Sequence, residues 1–365
     1  MSIELTILGC HSATPRVNAY PTAQYLEINS RCFLIDCGEG TQRQMRKYKV
    51  GFSRINHIFI SHLHGDHFFG LIGLISTFGI LNREKDLHIF GPQGIREVIN
   101  LQLRHSKSHV KFDLIFHELN SKKSELIFED EKVEIKTVPL HHRIYTNGFF
   151  FKEKEKPRKL DMNAINEVQE IEICDYNNLK AGKDFVTNSN ETIQNSLLTL
   201  DPEASLSYAF CSDTSYKPDI IEIIGEANLL YHEATFLSDK EDLAKKTRHS
   251  TARQAALIAK KANGYGKIAG IHNGTTQYAK EMIDLGFKLV TISSDFRSMS
   301  AHAQSVIDDM KEKSINLEKD VKTEFEQETK KIQIRYDEAK SRVNDIRQSG
   351  EDAWTELHAG VLNAW

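Results

Sequence analysis

The chain has 365 residues, 40% hydrophobic and 27% charged, with a formal net charge of −4. That length holds one large domain or two modest ones. The negative balance excludes a globally basic protein, so any nucleic acid must be held by a local basic patch. Five cysteines, Cys10, Cys32, Cys37, Cys174 and Cys211, form no CxxC pair, which speaks against a disulfide framework and for a reducing compartment. No basic segment leads into an apolar core at the N-terminus, and no window approaches about 20 apolar residues, so a cytoplasmic chain without a signal peptide or membrane span is expected.

In chain order, "IELTILG" alternates like a strand, and "AQYLEI" and "RCFLIDCG" read as a strand pair turning at Asn29-Ser30. "TQRQMRKY" reads as a short helix and "INHIFISH" as a strand. "FFGLIGLISTFGIL" carries Leu71, Leu74, Ile75 and Phe78 at helical spacing. "LHIFGP" is a strand and 94–106 a helix; "FDLIFHEL", "ELIFEDEKVEIKTVPL" and "NGFFFKE" are strand-rich. Residues 153–187 turn polar and lysine-rich, like an excursion from the core. "SLSYAFCSD" and "ANLLYHEAT" return to strands before the helix "STARQAALIAKKA". Alternating strands and helices predict a layered α/β domain.

Beyond it, "GKIAGIHNGTTQYAKEMIDLGFKLVTISSDF" reads as strand, helix, strand. Residues 311–347 lack Gly and Pro, are dense in both charges and space apolar residues three and four apart, which predicts a long amphipathic helix, a coiled-coil seam among its uses.

The chemistry concentrates in "SHLHGDHFFG", where His62, His64, Asp66 and His67 fall within six residues. Such side chains are costly to bury unpaired, but histidine nitrogen and carboxylate oxygen suit a divalent metal such as zinc. A loop at a strand end presents His62 and His64 to one ion, Gly65 supplies turn freedom, and Asp66 and His67 face a second ion. Further ligands come from later strand ends: His141 or His142 after "TVPL", Asp213 after "YAFCS", His272 after "KIAGI".

These motifs resemble the metallo-β-lactamase superfamily and, more narrowly, ribonuclease Z, which matures the 3′ end of transfer RNA. "LGCHSATP", "LIDCGEGTQRQM", "FISHLHGDHFFGLIGLIST", "PLHHRIYTNGFFF", "FCSDT", "YHEATF" and "RHSTARQAALIAKKA" carry the resemblance in order through about residue 263. It implies an αββα sandwich with two zinc ions at its edge. It implies that His62, His64, His142 and Asp213 hold one ion, and that Asp66, His67 and Asp213 hold the other with a position for one last histidine; the match ends before His272, whose candidacy for that position rests on its place after the strand-like "KIAGI". His142 is chosen over His141 because the family's ligand directly precedes Arg. By the same resemblance Asp66 orients or deprotonates the attacking water, Asp36 steadies a ligand without binding metal, and Glu233 with His249 supports the transition state and protonates the leaving oxygen. For His249 a helix-capping neighbourhood is the simpler reading, with Ser250 or Thr251 as cap.

A transfer RNA substrate requires phosphate contacts. Arg43, Arg46 and Lys47 of "TQRQMRKYK" and Lys154, Lys156, Arg158 and Lys159 of "KEKEKPRK" are the candidates, the second group resembling the family's flexible arm. The domain plan is thus a nuclease domain over 1–265 with an arm at 153–187. A segment at 266–309 resembles the C-terminal end of 2-keto-acid aldolases and is placed to complete the sandwich. A helical tail over 310–365 follows. The expected activity is zinc-dependent removal of the 3′ trailer from precursor transfer RNA by a homodimer. The alternatives are a related dinuclear phosphodiesterase or hydrolase on a small substrate, and a fusion with an impaired metal site that only binds RNA or assembles.

Overall fold

The computed structural model describes residues 3–11, 14, 19–225, 227–263, 270–273, 289–292, 330–338 and 341; the side chains of 263, 270–273 and 289–292 are outside the description. The chain divides into two compact units, one containing 20–269 with the N-terminal strand and the other 270–365 with 14–19.

In the first unit, strands β1 (Glu4–Gly9), β2 (Ala23–Ile28) and β3 (Arg31–Ile35) form an antiparallel meander. The β2–β3 turn sits where the sequence placed it. Asn29 and Ser30 both take positive φ, 49° and 66°, as a two-residue hairpin turn requires. Helix α1 (Thr41–Lys47) leads to β4 (Ile55–Phe59). The apolar run after it breaks into α2 (Gly65–Phe68) and α3 (Leu71–Ile80), and α3 buries the expected Leu71, Leu74, Ile75 and Phe78. Strand β5 (Leu87–Pro92), helix α4 (Ile95–His105) and β6 (Leu114–Leu119) complete a six-stranded sheet in which β3 to β6 run parallel.

The second sheet begins with β7 (Leu126–Glu129), β8 (Val133–Pro139) and β9 (Asn147–Glu153). The polar excursion then folds as a satellite: β10 (Lys159–Leu160), α5 (Met162–Glu167), α6 (Tyr176–Lys180), β11 (Phe185–Val186), β12 (Thr192–Ile193), α7 (Asn195–Leu198) and β13 (Thr199–Leu200). It buries its own apolar cluster of Ile165, Leu179 and Leu198 and runs past residue 187, because β13 pairs back onto β10. Strands β14 (Ser207–Cys211) and β15 (Leu229–His232) flank helix α8 (Ile221–Ile224) and finish the second sheet in the order β15-β14-β9-β8-β7. Helices α9 (Glu241–Thr247) and α10 (Ala252–Asn263) follow.

Three apolar layers hold the two sheets and their helices. Phe33, Phe59 and Phe90 of the first sheet meet Phe149, Phe151 and Phe210 of the second between the sheets. Leu71, Leu74, Ile75 and Ile99 of α3 and α4 cover the outer face of the first sheet. Ile220, Ile224 and Ile258 cover the second. The order is helix, sheet, sheet, helix, as the family resemblance implies.

In the second unit, β16 (Gly270–Asn273) pairs in parallel with β17 (Leu289–Ile292), and residues 330–338 are helical. The two strands match the expected strand, helix, strand at its ends. The intervening helix, most of the aldolase-like segment and the rest of the tail lie outside the described residues.

Candidate metal centre

Six candidates of the first unit sit just past the end of a strand. Asp36 follows β3, His62 and His64 follow β4, His142 follows β8, Asp213 follows β14 and Glu233 follows β15. Open sheets place ligands at the carboxyl ends of their strands for this reason: the backbone stops pairing there and turns its side chains out.

Four ligand atoms, one each from His62, His64, His142 and Asp213, lie within 4.8 Å of one another. Asp213 Oδ2 is 3.7 Å from His62 Nε2 and 3.9 Å from His142 Nε2, and His142 Nε2 is 3.2 Å from His64 Nδ1. A tetrahedral shell with ligands at roughly 2.0–2.1 Å sets its atoms about 3.3–3.4 Å apart, so the spacing fits one cation. His141 is exposed while His142 is buried in the cluster. Next to it, His67 Nε2 lies 3.6 Å from Asp66 Oδ2 and 3.6 Å from Asp213 Oδ2. One carboxylate oxygen is therefore shared by two groups of donors.

The hydrogen bonds behind the rings decide which nitrogens face the centre. His142 Nδ1 is 2.8 Å from the carbonyl of Arg248, which only accepts, so Nδ1 carries the proton and Nε2 the lone pair. Ser61 Oγ donates to Asp36 at 2.8 Å and accepts from Ser212 at 2.9 Å. His67 Nδ1, 3.4 Å from this hydroxyl, is committed to Asp36 at 2.7 Å, and His62 Nδ1 at 3.0 Å must then donate to the hydroxyl. The Nε2 of His62 is left buried and without a hydrogen-bond partner. A buried imidazole nitrogen with a lone pair and no donor costs free energy, and a cation removes that cost. His67 Nδ1 meets Asp36 at 2.7 Å in the same manner. Such backing carboxylates and carbonyls fix ring orientation at metal sites.

Electrostatics agree with this arrangement. Burial drives His62 well below its ordinary value and also lowers His64 and His142, leaving neutral rings. Burial opposes ionisation of Asp213, but the hydrogen bond and charge of His67, with His62 and His249, hold its carboxyl well below the usual range. Burial likewise opposes charge on His67, yet Asp36 and then Asp213 outweigh it and raise its value.

The loops that carry these residues are tightly packed. Asp36 takes a left-handed backbone with φ 57°. A Cβ on Gly70 would lie 2.1 Å from the carbonyl oxygen of Gly38, so the Asp36 loop and the turn after α2 meet backbone to backbone. Gly65 differs from its expected role. Its φ is not positive; it is the first residue of α2, and a Cβ there would stand 2.2 Å from the Phe69 ring. The position has no special turn conformation, and any larger residue there would have to displace the exposed Phe69 ring.

Glu233 and His249 lie beside the cluster. Glu233 Oε1 accepts from the Ser250 and Thr214 amides at 2.8 and 3.1 Å and meets His249 Nδ1 at 3.2 Å. His249 is also 3.8 Å from Asp213 Oδ2. The cap of α10 is Thr251, which exchanges hydrogen bonds with Gln254 in a capping box. Ser250 bonds the Thr214 carbonyl instead, so His249 stands outside the cap. Ser61, Ser212, Thr235 and Arg248 were not singled out from sequence. Ser61 adjoins the motif and Arg248 precedes His249, but neither residue type signals a backing role.

Arg43, Arg46 and Lys47 are exposed on α1. The arm cations are already matched: Lys154 with Glu129, Lys156 with Glu153, Arg158 with Asp201 and Lys159 with Glu203. His272 pairs with Thr291 between β16 and β17 in the second unit, and its side chain lies outside the described residues. Among the described residues no helix is long and apolar enough to cross a membrane.

Comparison with known proteins follows the same outline. The family described as anti-Pycsar protein Apyc1 matches residues 3–256. A curated ribonuclease Z from Bacteroides thetaiotaomicron is 46% identical over 256 residues, 70% of this chain and 81% of the relative. The solved human tRNase Z, short form, is 28% identical with a TM-score of 0.53, covering 71% of this chain and 88% of that one. The metallo-β-lactamase fold protein YhfI from Bacillus subtilis, 16% identical, superposes with a TM-score of 0.52 over 80% of this chain and 96% of its own and supports the fold. Nothing in these comparisons supports the aldolase resemblance of residues 266–309. By its matched profile the chain belongs to the family described as anti-Pycsar protein Apyc1, and by its curated relatives to the ribonuclease Z family, built on the metallo-β-lactamase fold.

Proposed function

We propose that the chain is a metal-dependent endoribonuclease that removes the 3′ trailer from precursor transfer RNA. The observation that carries this reading is the set of four ligand atoms within 4.8 Å, in a chain 46% identical to a curated ribonuclease Z. Nitrogen and carboxylate donors suit zinc. His62, His64, His142 and Asp213 would hold one ion, and Asp66, His67 and Asp213 a second. Bound ions of this kind supply Lewis acidity toward a phosphoryl oxygen and lower the pKa of water.

The chain's own groups divide the remaining work. Asp66, with 15% of its side chain exposed, faces the site and takes a proton from the attacking water. His249 is anchored through Nδ1 on Glu233, which leaves its Nε2 to deliver a proton to the leaving oxygen. Asp36 holds His67 in orientation. Arg43, Arg46 and Lys47 are placed to meet phosphates, and so are Lys154, Lys156, Arg158 and Lys159 where their carboxylate partners yield to RNA. The five cysteines are all free, which supports a cytoplasmic setting, and the family resemblance supports a homodimer.

The test is incubation of the purified protein with a precursor transfer RNA carrying a 3′ trailer, with and without a chelator. Trailer release that the chelator abolishes is expected. Hydrolysis of bis(p-nitrophenyl) phosphate with no cleavage of the precursor would replace this reading with a small-substrate phosphodiesterase.

A further inference from the structure

The turn that closes α4 carries Arg104, His105, Lys107, His109 and Lys111, all exposed, and no carboxylate occurs between Glu97 and Asp113. Among the described residues none of the three cations makes an ion pair, whereas each arm cation named above has one. Arg104 and His105 complement the helix dipole, but Lys107 and Lys111 lie beyond the last turn and gain nothing from it.

The turn is well built. Lys107 takes φ 51°, its amide bonds the Arg104 carbonyl at 3.3 Å, and the Ser108 amide bonds the Leu103 carbonyl at 3.0 Å. This left-handed closure fixes where the side chains leave the surface. The turn also rests on α3: a Cβ on Gly79 would lie 3.3 Å from Val110. Helix α3 starts at the metal loop and rises about 15 Å over its length, so the turn, packed on Gly79, stands at the end of that helix away from the metal loop. A row of rings ties the turn to α1. The Arg46 guanidinium lies 5.2 Å from the Phe52 ring, Phe52 is 6.3 Å from Phe78, and Phe78 is 6.4 Å from Phe112, next in sequence to Lys111.

We infer that Arg104, Lys107 and Lys111 form a second contact surface for the phosphate backbone of bound RNA, tied to the helix that carries Arg46 through the buried rings of Phe52, Phe78 and Phe112. This rests on the ribonuclease reading. Unpaired cations on a rigid frame release counterions from phosphates with little desolvation or ion-pair loss.

The test measures the dissociation constant of a fluorescent precursor transfer RNA across salt concentrations, for the full chain and for the triple variant Arg104→Ala, Lys107→Ala, Lys111→Ala. Loss of three phosphate contacts weakens binding about 50-fold near 0.15 M salt and flattens the logarithmic salt slope by about 2 to 3. The variant Lys107→Arg, Lys111→Arg keeps the charge and is expected to bind like the unaltered chain, which separates charge from misfolding. An unchanged affinity and slope in the triple variant would overturn the inference, as would a failure of the unaltered chain to bind the RNA. Failure of the unaltered chain to cleave an RNA that it binds would instead overturn the functional reading alone.

Discussion

His142 and Arg248 exchange hydrogen bonds across 106 residues of sequence: the Arg248 carbonyl accepts from His142 Nδ1 at 2.8 Å, and the Arg248 guanidinium donates to the His142 carbonyl at 2.9 Å. Arg248 reaches this geometry only with φ 56° and ψ 50°, at the end of α9. A left-handed non-glycine residue is strained, and strain of this kind gathers at functional sites. Here it aims one carbonyl at the ring of a candidate ligand.

The first prediction tests that link. Arg248→Gly adopts the left-handed backbone freely and keeps the carbonyl, so metal affinity should stay near that of the unaltered chain. Arg248→Val disfavours that backbone and should lose about ten-fold or more in metal affinity. Isothermal titration with zinc measures both, and equal affinities would show that the carbonyl does not orient His142.

Asp36 accepts from the Ser61 amide through Oδ1 and from the Ser61 hydroxyl and the His67 ring through Oδ2, so Asp36→Asn must turn a donor either toward the amide or toward the hydroxyl and ring. Metal affinity should fall about 10- to 100-fold with little change in the circular dichroism spectrum. Metal content after gel filtration against a weak chelator gives the measurement.

His249→Ala should reduce the single-turnover cleavage rate about 10²- to 10⁴-fold while bound metal stays unchanged. Asp213→Ala should lose metal as well as activity, because its Oδ2 is shared by both donor groups. A His249 variant that also lost metal would make that residue a ligand instead.

A pH effect on stability comes from outside the centre. His57 on β4 is brought down to about 4 by burial, then by the neighbouring His88; Asp130 opposes this, and His117 and Arg83 add to it. The value in the folded chain is lower than in the unfolded chain, so the unfolded chain binds the proton first. The stabilisation is complete above about pH 6.5 and is lost as pH falls toward 4, by about 3 kcal/mol in all. Urea unfolding between pH 4.5 and 7 checks this, and His57→Phe should flatten the profile.

Much of this architecture was legible in the sequence because it depends on local rules. Alternation in "AQYLEI" and the positions of Leu71, Leu74, Ile75 and Phe78 follow from burying one face of a strand or helix. The four residues around Gly65 were legible because their density has no cheap structural explanation. The backing groups were not. Ser61 orients His62 only because Ser212 and Asp36 occupy its other hydrogen bonds, and Arg248 acts through a carbonyl that every residue possesses. The arm cations looked available because their partners Glu129, Asp201 and Glu203 lie far from them in sequence and pair only in the fold.

The centre joins strand ends from β3 to β15, and Ser61 meets Ser212 across 151 residues. During synthesis the ribosome must therefore release nearly the whole first unit, through Arg248, before His142 gains its backing carbonyl. A nascent chain halted before that point carries the His-x-His-x-Asp-His loop but lacks the assembled shell. Tight capture of an ion thus marks completion of the unit, and a metal-sensitive probe on stalled chains of increasing length would time that event.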